Sequence, residues 1–194
     1  TLVSGYEFVE ITGDAECPDV LGGEITLGPA DDVQCTIVND DQKPSLTLQK
    51  VVSGGSEDAS DWTLTAAGPS GFSGAGPSVS SGSDFQAGTY DMSESGPSGY
   101  DASDWVCEGG TQDDADSITL ELGDSVTCTI TNTRQTGDVM FVKVVDGGTG
   151  LPSDWSFDVD GPETVNDIAH NDSETLDTGS YTVTEDGGTQ NNAD

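Results

Sequence analysis

The chain has 194 residues, of which 37 are Asp or Glu and four are Lys or Arg, so its formal net charge at pH 7 is −33. This charge excludes proteins that bind nucleic acids or anionic membranes, because both classes need a basic surface. Hydrophobic residues make up 32% of the chain and no run reaches the roughly 18 apolar residues of a membrane span, while 26 glycines favour small all-β modules over a helical enzyme.

Six strands are predicted in the middle of the chain, at 45–52, 61–67, 88–94, 104–108, 117–122 and 125–132, because apolar and polar residues alternate there between Gly/Ser/Pro turns. Gly68–Ser83 is low in complexity and is predicted to be a long surface loop. No stretch shows a sustained helical period. The start, Thr1-Leu2-Val3, lacks the basic region of a signal peptide, so we interpret the chain as a mature or internal stretch.

An internal repeat sets the domain organisation. Leu48-Gln49-Lys50-Val51-Val52 recurs 93 positions later as Phe141-Val142-Lys143-Val144-Val145, and Val126–Asn132 echoes Val33–Asn39 at the same spacing. Residues 1–42 therefore match the C-terminal half of a β-sandwich repeat, 43–135 form a complete repeat, and 138–194 match the N-terminal half.

A half sandwich exposes a core face and open sheet edges. We therefore expect residues 138–194 of one copy to be completed by residues 1–42 of the next copy. An alternative is that the chain is a window cut from a long tandem array. Both interpretations predict a linear fibre in which copies meet head to tail, with an outside ligand that the sequence does not identify.

The four cysteines fall two to a repeat, with Cys17 and Cys35 in the first half unit and Cys107 and Cys128 in the complete one. Pairing within each unit closes loops of about 18 to 21 residues, which stabilises by about 3 kcal/mol each in the chain-entropy model. The spacing is too wide for a zinc site. An even count in a modular, acidic chain predicts disulfides and an extracellular or cell-surface location.

The rare lysines lie on the faces that strand alternation turns inward. Lys50 follows Leu46 and Leu48 on one face of its strand, and Glu94 and Asn132 end the inward rows of two other strands. Each alone has an ordinary structural explanation, such as an edge lysine or a turn asparagine. Together, and repeated as Lys143, Glu185 and Asn39 in the flanking halves, they indicate an autocatalytic Lys–Asn isopeptide bond.

In this hypothesis burial lowers the pKa of Lys50, so that its neutral amine attacks the carboxamide of Asn132. Glu94 polarises the carboxamide and transfers protons while ammonia leaves. The reaction is a single-turnover maturation step without an external substrate, and we do not expect an enzyme with turnover.

The order of these motifs resembles a known family. A strand-borne lysine, Gly-Thr-Tyr-Asp-Met-Ser-Glu at 88–94 and a closing Thr-Ile-Thr-Asn at 129–132 are similar to the CnaB-like, prealbumin-like (SpaA-type) domains of microbial surface adhesins and pilins. The resemblance implies an immunoglobulin-like β-sandwich in a stalk or pilus shaft. It also implies an isopeptide bond between Lys50 and Asn132, assisted by Glu94. The two cysteines per unit and the extreme acidity depart from the usual pattern of the family.

The phase of the repeat suggests a second bond, in which Lys143 and Glu185 of one copy meet Asn39 of the next. The competing class is a cell-surface module that recognises a glycan or calcium through its loops. Calcium could bind Asp113-Asp114-Ala115-Asp116, although no EF-hand spacing is present and we predict no other metal or cofactor. Trp62 and Trp155 recur in register and are interpreted as core.

Three surface features remain. Asn171-Asp172-Ser173 is an N-glycosylation acceptor pattern, and His170 is interpreted as a surface loop residue. The acidic surface is either a solvated, aggregation-resistant coat or a halophilic adaptation. The second interpretation follows because carboxylate repulsion is screened at molar salt, where the Debye length is about 3 Å.

Overall fold

The structure is a computed structural model that describes residues 3–187. Within these residues the chain forms seventeen strands and two short 3-10 turns, Ala59–Asp61 and Pro152–Asp154. The strands are β1 Tyr6–Gly13, β2 Cys35–Asp41, β3 Ser45–Ser53, β4 Thr63–Ala67, β5 Phe72–Ala75, β6 Ser78–Ser80, β7 Gly88–Ser95, β8 Tyr100–Ala102, β9 Val106–Glu108, β10 Thr111–Gln112, β11 Ser117–Leu120, β12 Ser125–Arg134, β13 Thr136–Met140, β14 Trp155–Asp160, β15 Thr164–Ala169, β16 Ser173–Asp177 and β17 Thr182–Gly187.

The central strands form two five-stranded sheets, an all-β immunoglobulin-like sandwich. One sheet has the order β10-β11-β7-β4-β5, and the other has the order β6-β3-β12-β8, with β9 also paired to β12. The fully buried core residues come from alternate positions of these strands, and they include Leu46, Leu48, Trp62, Leu64, Tyr90, Ile118, Leu120 and Cys128. The alternation seen in the sequence therefore positions the core as expected.

The neighbouring strands β3 and β12 run in the same direction. At their starts, Ser45 N donates a hydrogen bond to Asp124 O at 2.8 Å. At their ends, a Cβ atom built on Gly54 would lie 3.3 Å from the Cβ of Arg134. The first and last strands of the complete repeat are thus parallel neighbours.

The prediction of a long loop at 68–83 is wrong, because β5 and β6 lie inside this segment. β5 pairs with β4 and β6 pairs with β3, so both strands lie at sheet edges. Edge strands are held by backbone hydrogen bonds and need few apolar side chains. The Gly- and Ser-rich sequence therefore carries no alternation signal for them.

The described chain divides into two compact units. The first comprises residues 3–51, 59–96 and 103–131, and the second comprises 52–58, 97–102 and 132–187. Part of the first unit is the antiparallel hairpin β1-β2, in which Tyr6 pairs with Asp41 and Gly13 with Cys35. No helix among residues 3–187 is long and apolar enough to span a bilayer.

The second unit contains the sheets β13-β16 and β15-β14-β17. These pairs correspond to β3-β6 and β5-β4-β7 of the complete repeat, one repeat length earlier in the chain. A small core of Phe141, Val159, Ile168 and Leu176 holds them together. The N-terminal half of the repeat thus has the strand order of the complete module.

Candidate crosslinking sites

The first candidate site is built around Lys50 in β3. The residue is only 4% exposed, and its ammonium group forms an ion pair with Glu94 of β7. The nitrogen Nζ also lies 4.8 Å from the ring centroid of Trp62, which is itself buried. A cation above an indole face is stabilised by the negative face of the ring. Lys50 is thus enclosed between a carboxylate and an aromatic wall.

The electrostatics of the site act on Lys50 in two directions. Burial lowers the pKa of Lys50 from its ordinary value of 10.5, while the hydrogen bond and the negative charge of Glu94 partly oppose this shift. The net lowering increases the fraction of neutral amine, which is the nucleophilic form.

Asn132 lies near the end of β12, where it pairs with Ala102 of β8. It is 3% exposed, and its Oδ1 atom is buried without a hydrogen-bond partner among the described residues. A buried polar atom without a partner costs about 1–3 kcal/mol, so native proteins rarely keep one without a reason. The carbonyl oxygen of this carboxamide is available to accept a hydrogen bond from a proton donor during a reaction.

Of the three residues predicted for the intramolecular bond, the structure brings Lys50 and Glu94 into direct contact. Asn132 is buried on the neighbouring parallel strand, as the alternation of β12 predicts. The covalent bond from Lys50 to Asn132 stays a prediction.

The second candidate site repeats this arrangement around Lys143. Lys143 Nζ lies 2.6 Å from Glu185 Oε2 and 4.8 Å from the ring centroid of Trp155. Both charged side chains are more exposed than Lys50 and Glu94, with 19% and 39% of their side-chain surface accessible. The structure thus brings together the lysine and the glutamate of the predicted second bond.

Asn39, the expected third member of the second bond, is exposed on β2 and pairs with Phe8 of β1. Asn39 and Glu185 are both exposed in the described chain, and their burial in a core completed by a second copy stays a prediction. The equivalent positions in the complete repeat are covered by an opposing sheet, whereas β1-β2 is a separate two-stranded sheet.

Sequence reasoning misses four residues around the two lysine sites. The two tryptophans, interpreted as plain core, each also contact a lysine ammonium. Gly96 lies so close to Trp62 that an added Cβ would meet its ring at 2.4 Å. His170, expected to be an ordinary loop residue, accepts a hydrogen bond at Nδ1 from the backbone N–H of Lys143. The recurrence of Ser-Asp-Trp in register with the lysines is the available signal.

The structure contains both disulfides, Cys17–Cys35 and Cys107–Cys128, with sequence separations of 18 and 21. Cys107 and Cys128 lie directly opposite each other on β9 and β12. Each disulfide fixes the strand that carries an asparagine of a predicted bond.

The structure offers fewer features for the competing hypothesis, a module that binds a glycan or calcium. Among residues 3–187 no group of three or more His, Cys, Asp or Glu is placed to hold a metal ion. At 113–116, Asp113 accepts a hydrogen bond from Thr119 and Asp114 accepts one from the backbone of Asp116. Asn171 is exposed in a turn before β16, so its glycosylation stays a prediction.

The second unit also has an open cleft, of about 670 Å³, that Arg134 lines. The guanidinium is already engaged, since Nε lies 3.3 Å from Asp177 Oδ2 and the group stacks 5.2 Å from the ring of Tyr100. The positive charge of Arg134 in the described cleft is therefore already neutralised and is little available to an anionic ligand.

The sandwich architecture and the buried Lys–Glu pair define the chain as a repeat-built, disulfide-containing β-sandwich protein. Residues 41–130 match the family model of the SpaA-type "prealbumin-like fold domain". Among solved structures the chain is similar to the Bacillus anthracis TIE protein, at 17% identity and a TM-score of 0.49. That match covers 92% of this chain and 36% of the other chain. No curated protein matches the chain.

Proposed function

We propose that this chain is a structural segment of an extracellular fibre or adhesin stalk, stabilised by disulfides and by autocatalytic Lys–Asn isopeptide bonds. The observation that carries the proposal is the buried Lys50–Glu94 pair beside a strand whose Asn132 keeps a buried, unpartnered carboxamide oxygen among the described residues. Two disulfides and a prealbumin-like module support an extracellular or cell-surface location.

The chemistry needs only these side chains. A proton passes from the Lys50 ammonium to Glu94, because a neutral pair is favoured where charges are poorly solvated. The amine Nζ then attacks Cγ of Asn132, and Glu94 gives its proton to the departing amide nitrogen. The carboxylate so formed accepts the second proton from Nζ as the new amide forms. One C–N bond forms, the other breaks, and ammonia leaves, so the chain loses about 17 Da with no oxidant or cofactor.

A bond at this place suits a load-bearing role. β3 and β12 are the first and last strands of the complete repeat, and they are neighbours in one sheet. Tension that enters through β3 and leaves through β12 would cross the isopeptide bond and bypass the rest of the module. The module would then resist extension without relying on its hydrogen bonds alone.

Mass spectrometry of the full chain tests the intramolecular bond. We expect a loss of ammonia located in a peptide that joins Lys50 to Asn132, and no such peptide in Glu94→Gln or Asn132→Ala. Lys43→Arg is the matched control, because Lys43 forms an exposed pair with Asp41. A wild-type chain whose Lys50 and Asn132 peptides are both unmodified would contradict the proposal.

The proposal extends to the second site, where Lys143 and Glu185 of one copy would react with Asn39 of the next. Lys143 and Glu185 are already paired and lack an asparagine from their own half repeat. Boiling in SDS with reductant should then leave a ladder of covalent multimers. Complete collapse to monomers would contradict a covalent link between copies.

A further inference from the structure

Among residues 3–187, two sheet edges of the second unit have no partner strand where the complete repeat has one. In the complete repeat, β7 is flanked by β4 and β11, and β3 is flanked by β6 and β12. Over the residues that the structure describes, the equivalent strand β17 pairs with β14 alone and β13 pairs with β16 alone. Val183 of β17 is 53% exposed, whereas its equivalent Met92 is 3% exposed. Within 3–187, the second unit therefore lacks the equivalents of β11 and β12.

The segment that matches β11 and β12 lies at residues 24–41, and its first part, 24–27, is unpaired in the described chain. Residues 24–27 align with β11, yet they form no strand. Ile25 is 46% exposed and Leu27 is 63% exposed, while their equivalents Ile118 and Leu120 are 0% and 1% exposed. The same side chains at the same repeat position are thus buried when partner strands are present, and exposed when they are absent.

The turn after residues 24–27 already has the conformation of its counterpart. Gly28 N donates to Asp31 Oδ2, as Glu121 N donates to Asp124 Oδ2 in the complete repeat. Ala30 has φ 73°, close to the 85° of its equivalent Gly123, although a left-handed conformation is costly for alanine. The turn that joins the two missing strands is therefore preformed.

We infer that residues 24–41 of a second copy of this chain add to the open edges of β17 and β13 as a two-stranded insert. The inference rests on the structural role proposed above and names its partner surface. The segment at 117–134 is already part of the complete sandwich, whereas the matching segment at 24–41 keeps the apolar side chains of Ile25 and Leu27 exposed. Backbone pairing would supply affinity and the buried apolar side chains would supply register.

The register follows from the complete repeat. Ile118 pairs with Tyr90, Thr119 with Thr89 and Leu120 with Gly88. Transferred to the equivalent positions, Ile25 lies opposite Tyr181, Thr26 opposite Ser180 and Leu27 opposite Gly179. The same insertion brings β2, and with it Asn39, beside β13, which ends at Met140, three residues before Lys143.

A crosslinking experiment on the full chain tests this register. The variant Thr26→Cys/Ser180→Cys is made together with Lys143→Arg, so that no isopeptide bond between copies contributes. We expect a ladder of multimers on a non-reducing SDS gel that collapses on reduction, because opposite positions on paired strands are within disulfide range. Thr26→Cys/Thr164→Cys is the control, since Thr164 lies on β15, which pairs with the other side of β14. Monomers with free thiols, or a disulfide within one chain, would overturn the inference.

Sedimentation velocity provides a second measurement without cysteines. Ile25→Asp/Leu27→Asp should abolish concentration-dependent association, because two charges would enter the new core. Val20→Asp, which changes an equally exposed side chain outside the insert, should associate as the wild type does. Equal association of all three chains, or a wild-type chain that stays monomeric at every concentration, would contradict the inference. The mass-spectrometric test of the Lys50–Asn132 bond does not depend on either of these results. Failure of the proposed function can therefore be distinguished from failure of the strand insertion.

Discussion

Lys143 holds its ammonium nitrogen 4.8 Å from the ring centroid of Trp155, the same distance that separates Lys50 from Trp62. The two lysines are 93 positions apart, and each is also paired with a glutamate of its own repeat. The half repeat therefore builds most of the lysine site of the complete repeat before any partner is added. Within residues 138–187 there is no equivalent of β12, the strand that carries the asparagine.

The contact between Gly96 and Trp62 gives a stability prediction. Gly96→Ala should lower the free energy of unfolding by about 1–3 kcal/mol, because the new methyl group would overlap the indole at 2.4 Å and force a shift. Gly82→Ala is the matched control, since a Cβ there meets no atom within 4 Å. Chemical denaturation followed by tryptophan fluorescence measures both. Equal stabilities of the two variants would contradict the contact.

The buried ammonium of Lys50 gives a pH prediction in the uncrosslinked variant Asn132→Ala. Because burial lowers the Lys50 pKa in the folded chain, the unfolded chain, with a pKa near 10.5, binds more protons between the two values. The free energy of unfolding should therefore rise with pH in the alkaline range up to about 10.5. The double variant Lys50→Met/Asn132→Ala should show a smaller rise. Denaturation curves at several pH values give the difference, and a larger rise in the methionine variant would contradict it.

The net charge of −33 gives a salt prediction. The Debye length shrinks from about 30 Å at 0.01 M salt to about 3 Å at 1 M, so repulsion among carboxylates is screened. The melting temperature should rise by several degrees over this range at pH 7. The same salt series at pH 4, where about half of the carboxyl groups are protonated, should show a smaller rise. A melting temperature independent of salt at pH 7 would contradict the prediction.

The two disulfides should differ in their ease of reduction. Cys128 is fully buried and only its partner Cys107 is half-buried, whereas Cys17 and Cys35 are both half-buried. Thiol exchange needs access to a sulfur atom, so a low concentration of dithiothreitol should open Cys17–Cys35 first. Alkylation of the freed thiols followed by peptide mass spectrometry measures the order. Reduction of Cys107–Cys128 before Cys17–Cys35 would contradict the argument from accessibility.

The loops closed by these disulfides are of similar length, 18 and 21 residues. Cys107→Ala/Cys128→Ala should therefore cost about 3 kcal/mol of unfolding free energy in the chain-entropy model. Its unfolding curve, compared with that of the intact chain, measures this cost. No loss of stability would mean that the unfolded chain is not constrained by this loop.

Local pattern in the sequence determined the repeat, the main strands of the complete module, and the inward direction of Lys50 and Asn132. These features depend on the two-residue period of a strand, which is set by the backbone and is visible in any stretch that alternates. The edge strands β5 and β6 had no such pattern, because backbone pairing alone holds them in the sheet. Sequence could therefore not separate them from a loop.

Only the tertiary structure decided which side chains meet. The contact of Lys50 with Glu94 and Trp62 joins residues far apart in the chain, and it depends on how the sheets pack. The exposure of Ile25, Leu27 and Asn39 could likewise not be predicted from the local sequence. The buried counterparts of these residues have the same or a closely similar local sequence. Burial depends on the neighbours that cover a strand. Among residues 3–187, the strands of an incomplete repeat therefore keep the alternating pattern of a core while their apolar side chains stay exposed.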